Sequence, residues 1–180
     1  MKTLMSLVVL TIFCKTIAQP KFEEIDLPNG SSFLLGEIVQ AQLETASYQS
    51  WFKANYQNYA VDKEMVALFS DALAQHEILL FLGTWCGDSK REVPRMLKVL
   101  KAANFPTEKL KIVAVDRRKE NYKKGLNGEE EGWSIKRVPT LILNKNGKEV
   151  NRIVERPIAS IEEDLFAILK QLNYTPNYSN

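Results

Sequence analysis

Ile78-Leu79-Leu80-Phe81-Leu82-Gly83-Thr84-Trp85-Cys86-Gly87-Asp88-Ser89 is the stretch whose reading decides the fold. It opens with an unbroken apolar run that stops at Gly83. That length and that flank predict a strand buried on both faces, as in the middle of a parallel sheet. The residues after Cys86 predict a helix running to about Ala103, with Pro94 inside it as a kink. Cys86 then stands at a strand-to-helix junction, where unpaired N–H groups and the helix dipole favour an anion. The thiolate is the reactive form of cysteine, and such a position favours it. Lys90 and Arg91 add positive charge in the first turns, while Asp88 opposes it. Ser89 is placed to donate a hydrogen bond to the sulfur, which also stabilises the charged form.

Moving outward, Lys111 to Val115 predicts a second buried strand, and Thr140 to Leu143 a third, opened by Pro139. Asn146-Gly147 is a hairpin turn leading into Glu149 to Val154. Ser160, with Glu163 three residues on, caps a last amphipathic helix through about Leu172. The segment from Asp116 to Ile135 is polar and punctuated by Gly125, Gly128 and Gly132, so it is expected to be a long loop. Upstream, Gln19 to Ser32 holds Pro20, Pro28, Asn29 and Gly30 and is expected to be irregular. Spacings near three and four predict helix over Glu37 to Tyr59 and again from Asp62, a plausible cap, to Gln75. His76 is expected on the surface or at a helix end. The element order indicates an α/β fold: a central mixed sheet flanked by helices on both faces, with an N-terminal helical extension.

Four motifs in this order resemble the thioredoxin superfamily. Trp85-Cys86-Gly87-Asp88-Ser89 looks like that family's Trp-Cys-Gly-X-Cys with its last cysteine replaced by serine. Pro94 matches its helix-kinking proline, Val138-Pro139-Thr140 is similar to its cis-proline segment, and Lys145-Asn146-Gly147 fits its terminal hairpin. The similarity covers roughly Val61 to Leu172 and implies a thioredoxin-like domain over 61–180; outside it, the residues themselves are read as a signal peptide over 1–18 and a helical extension over 19–60. It implies Cys86 and Ser89 as catalytic residues, and Trp85, Gly87, Asp88, Val138 and Pro139 as partner-binding residues. A cis bond before Pro139 would bring Val138 backbone groups beside Cys86, where an extended peptide can pair with them. Two departures agree with each other. Ser89 cannot attack a mixed disulfide, and Leu80 stands where the family places the aspartate that assists the second cysteine. Glu155-Arg156-Pro157, where the family often has glycine, and the long loop before Pro139 are further departures.

The chain has 180 residues, 45% hydrophobic and 26% charged, with a formal net charge of +2. That suits one domain with an extension, and it gives no support for a nucleic-acid binder, which shows a concentrated basic face. Two cysteines and one histidine are too few for a zinc cage, and the Glu129-Glu130-Glu131 run alone offers no defined metal site, so no metal or cofactor is expected. The amino terminus reads as an export signal: Lys2, an apolar run from Leu4 to Phe13, then Thr16-Ile17-Ala18 before a cleavage point at Gln19. The run is too short to span a bilayer, which takes about 20 residues. Phe13 before Cys14 argues against a lipoprotein signal. Cleavage removes Lys2, Lys15 and Cys14 and takes the 24 basic residues to 22, equal to the 22 acidic ones. The mature chain then has no net charge and one cysteine, Cys86, in an oxidising compartment, periplasmic or extracellular.

These residues point first to a monothiol site. Cys86 would exchange with protein or small-molecule disulfides, an external thiol would resolve the product, and no stable membrane insertion would follow signal cleavage. The alternative is a binding module that keeps the groove beside Pro139 without redox turnover. A peroxidase using Cys86 as a sulfenate would need a positive group such as Arg91 beside the sulfur.

Overall fold

The computed structural model describes residues 21–179. The expected signal segment, 1–18, lies outside the described residues. Strands β1 (Phe22–Asp26) and β2 (Ser32–Ile38) form a hairpin. Short helices α1 (Gln40–Leu43), α2 (Gln49–Asn58), α3 (Lys63–Ala67) and α4 (Ser70–Leu73) follow. Strand β3 (Glu77–Leu82) feeds helix α5 (Gly87–Ala102), and β4 (Leu110–Ala114) follows. A long connection then leads to β5 (Thr140–Lys145), β6 (Lys148–Val154) and α6 (Ile161–Leu169). The six strands form one mixed sheet in the order β1-β2-β4-β3-β5-β6. Among the described residues only β3 and β4 run parallel, with Leu80 opposite Ile112; the other pairs there are antiparallel. Strand β3 is central, as its continuous apolar run predicts.

The N-terminal segment departs from the expected loop and helix. Pro28, Asn29 and Gly30 form the turn of a hairpin, closed by Leu27 N–H donating to Ser31 O at 2.8 Å and by Gly30 at φ 79°. Phe33, Leu34 and Leu35 are consecutive buried residues, a pattern that fits a strand covered on both sides and not a helix stripe. Strand β2 pairs with β4, so the extension completes the sheet before its helices begin. Gly36 is needed there: its φ is +100°, and a Cβ would lie 2.6 Å from Lys21 O. The helix expected over Asp62 to Gln75 divides into α3 and α4, although Asp62 does cap it, accepting from Met65 N–H at 2.9 Å. His76 is buried, with its ring Nδ1 2.8 Å from Ala72 O, because it closes the turn behind α4.

The two faces of the sheet are covered differently. Leu80, Ile112, Leu141 and Ile153 join one large core with residues from all six helices, including Phe52, Met96 and Leu165. Phe81, Val113, Val115, Val138 and Ile142 form a smaller core on the other face. That face is roofed by Trp133 and Ile135 of the long connection, not by a helix.

Candidate active site

Helix α5 is amphipathic, and it buries Val93, Met96, Val99 and Leu100 against the sheet. Pro94 lacks an N–H, which leaves the Lys90 carbonyl without its partner in the helix. Asn55 of α2 supplies the missing donor: its Nδ2 reaches Lys90 O at 3.1 Å. The kink near the site is therefore satisfied from the N-terminal extension, a link between distant residues that Pro94 alone does not disclose.

Cys86 is the N-cap of α5 and is half-buried. Its thiol donates to Val138 O at 3.2 Å. The Val138–Pro139 bond is cis, and Val138 belongs to the smaller core with Cys86 packed against it. The strand end and the segment before β5 thus bracket the sulfur. Thr140 fixes that segment, its Oγ1 donating to Arg137 O at 2.7 Å, and Glu155 N–H donates to Pro139 O at 2.7 Å.

The neighbours of Cys86 divide into groups that face outward and groups that hold the turn. Trp85 is half-buried; its Nε1 donates to Val115 O at 3.0 Å. Its ring folds back over Gly83, where a Cβ would meet it at 2.7 Å, so the turn requires glycine. Gly87 is exposed, with nothing within 4 Å of where a Cβ would stand. Asp88 pairs with Arg91 at 2.7 Å, and Arg91 also reaches buried Glu92 at 2.6 Å. These acids hold the Arg91 guanidinium above its ordinary pKa, Glu92 contributing most. Arg91 is thus committed along α5 to Asp88 and Glu92 and does not serve as the cation that a peroxidase reading assigned to it.

Ser89 takes a different role from the one expected. It is fully buried, and its hydroxyl accepts from Gly83 N–H at 3.1 Å. No Ser89–sulfur hydrogen bond forms among the described residues; the thiol meets Val138 instead. Leu80, at the place of the family's aspartate, is fully buried in the large core.

The loop contributes two residues with no motif to announce them. Tyr122 lies over Trp85, ring centroids 5.3 Å apart. Lys123 places its ammonium over the Tyr122 ring at 4.8 Å and donates to Lys136 O at 2.5 Å. Asp116 holds this turn: its N–H donates to Lys124 O, and its carbonyl accepts from Lys123 N–H. The buried Asp116 carboxylate binds Arg118 through its backbone N–H at 2.7 Å and through its guanidinium. Glu129 and Glu130, expected as a solvated run, accept N–H groups of the same loop, from Asn127 at 2.8 Å and Gly125 at 2.7 Å.

The sequence is similar to known proteins. The sequence pattern described as Thioredoxin matches residues 37–167. Thioredoxin-1 of Saccharomyces cerevisiae is 30% identical over 101 residues, 55% of this chain and 88% of that protein. The crystal structure of oxidised thioredoxin O2 from Arabidopsis thaliana is 22% identical, with a TM-score of 0.36 over 61% of this chain and 90% of that one. The family pattern spans the strand, the Cys86 turn, the Pro139 segment and most of α6, and the chain belongs to the thioredoxin family.

Proposed function

We propose that this protein is an exported thiol–disulfide exchange protein that works with the single thiol of Cys86. Family membership supports a thiol–disulfide role in general terms. One observation carries the monothiol reading: a half-buried thiol stands at the N-cap position of α5 and donates to Val138 O, while the residue three positions on is a buried serine engaged with Gly83. The thiol proton passes to water as the thiolate forms. The thiolate attacks one sulfur of a partner disulfide. A Cys86–partner disulfide forms, and the partner's other sulfur leaves as a thiolate with the electron pair of the broken bond. An external thiolate then attacks the partner sulfur of the mixed disulfide and releases Cys86 as a thiolate. Gly87, Trp85 and Asp88, next to Cys86 in the chain, and the Val138–Pro139 segment, whose carbonyl meets the thiol, are assigned here as the surface that meets a partner. Export rests on the Lys2-to-Ala18 sequence.

The test is trapping in the exporting cell. Free thiols are blocked, proteins disulfide-linked to Cys86 are identified, and addition of a monothiol should release them. Cys86→Ser is expected to abolish capture with the fold intact. Capture of the same partners by Cys86→Ser would replace this reading with that of a non-redox binding module.

A further inference from the structure

We propose that Lys123 selects disulfide partners that carry a carboxylate beside the sulfur. The proposal rests on the monothiol reading and adds a substrate class to it. The position of the ammonium is fixed from three sides. Its Nζ donates to Lys136 O at 2.5 Å, two residues before Val138, whose own carbonyl meets the Cys86 thiol. It sits over Tyr122, which lies on Trp85, the residue before Cys86. Its backbone is tied to buried Asp116 at 2.9 Å. The cation therefore reaches both segments that bracket the sulfur, one directly and one through Tyr122, held by a carbonyl and a ring and by no ion pair among the described residues.

The charges around it sharpen the case. The acids of this rim are already engaged, Asp88 by Arg91 and Glu155 by Arg137 at 3.5 Å. Lys123 has no carboxylate partner among the described residues. Burial holds the Lys123 ammonium below its ordinary pKa, and Arg137 adds repulsion; Cys86 and Glu155 act in the opposite direction. Lys123, Arg137, Cys86 and Glu155 thus share one electrostatic field. A half-buried cation without a counter-ion gains more from an arriving anion than a fully hydrated one does. Overall charge gives no such preference: the chain after signal cleavage is balanced, so the selectivity is local.

Two disulfide reagents test this in the full mature chain: dithionitrobenzoate, which is dianionic, and dithiodipyridine, which is neutral. Both draw on the same thiolate, so the ratio of their rate constants cancels the thiolate fraction and reports partner charge. Lys123→Met is expected to lower the anionic-to-neutral ratio by about three- to ten-fold at low ionic strength, with the difference shrinking as salt rises. Lys123→Arg should restore the ratio. Lys123 has φ +65°, and Met and Arg meet the same backbone cost there as Lys, so the variants isolate the side chain. A matched pair of peptide disulfides, with glutamate or glutamine beside the cysteine, separates the two sources of carboxylate. Preference for the glutamate peptide supports an acidic protein segment, and preference confined to the small reagent supports a small acid-bearing disulfide. An unchanged ratio in Lys123→Met, with Cys86 still labelled by both reagents, overturns this inference and leaves the monothiol reading standing. Failure of both reagents to label Cys86 overturns both.

Discussion

One face of the sheet is covered by helices and the other by a loop, and the candidate site lies where the two meet. The helical face uses repetition: Met96, Val99 and Leu100 recur along α5, and Ile161, Leu165 and Ile168 along α6. The loop face uses individual placements: Trp133 and Ile135 as a roof, Asp116 as an anchor, Tyr122 and Lys123 as its edge beside Cys86. A periodic face tolerates the loss of one contact among many. A face built from single residues concentrates its stability in a few of them, and local opening there costs less than global unfolding.

Truncation gives the largest effects and tests this difference directly. Phe81 lies under the loop and is fully buried, so Phe81→Ala is expected to cost about 3–5 kcal/mol in denaturant unfolding. Trp133 is only half-buried on the same face. Trp133→Ala should cost less globally yet raise hydrogen exchange through residues 116–137, with the helices unchanged. Equal acceleration of exchange in α5 would show that the two faces open together.

Alkali should weaken the helical face. Tyr48, Tyr59 and Tyr174 belong to the large core or pack on it, and each donates its hydroxyl to a carboxylate: Glu24, Glu162 and Asp164 respectively. Burial is the main cause that raises all three phenols, with the adjacent carboxylates adding to it, and Tyr48 is pushed up to about 12. A phenol raised in the folded state favours folding below its unfolded pKa of about 10. That contribution is lost as pH rises through the folded value. Stability should therefore hold up to about pH 10 and fall toward pH 12. Tyr48→Phe should make the fall shallower in a chemical-denaturation series. An identical slope in the variant would exclude Tyr48 as a source of the loss.

Much of this was legible in advance, for physical reasons. Ile78 to Leu82 announced a central strand because both faces are buried, and the Asn146-Gly147 turn and the Ser160 cap are local chemistry. The hairpin at Pro28 to Gly30 was missed although Asn29-Gly30 repeats the Asn146-Gly147 signal, because the apolar run after it, Phe33-Leu34-Leu35, is too short to separate strand from helix, and pairing with β1 and β4 decides it. The site was legible as Cys86 and Pro139 but not as Lys123, whose place depends on Asp116 and on a glycine-broken loop without periodicity. Ser89 shows the converse: proximity in sequence suggested a bond to sulfur, but the first turn of α5 aims its hydroxyl at Gly83 N–H.

That contact predicts an intermediate effect. Ser89→Ala leaves the buried Gly83 N–H unpaired, which should cost about 1–3 kcal/mol. Cys86 alkylation at fixed pH should change less than twofold, as a rough bound for a group not bonded to the sulfur. A large fall in alkylation with stability retained would return Ser89 to the role its motif position implied.

Gly87 marks the smallest effect and the boundary between the two coverings. It is the first residue of α5, exposed, with open space where a Cβ would stand. Its φ is not positive, so alanine fits without strain and lowers the entropy of the unfolded chain. Gly87→Ala should therefore raise stability slightly, by about 0.4–1 kcal/mol. The new methyl would stand on the partner-facing side of Cys86. Exchange with a protein disulfide should slow, while alkylation by a small reagent should not. If exchange with both is unchanged, partners approach from the Pro139 side alone, and the helical covering contributes the charge-favouring end of α5 but none of the contact surface.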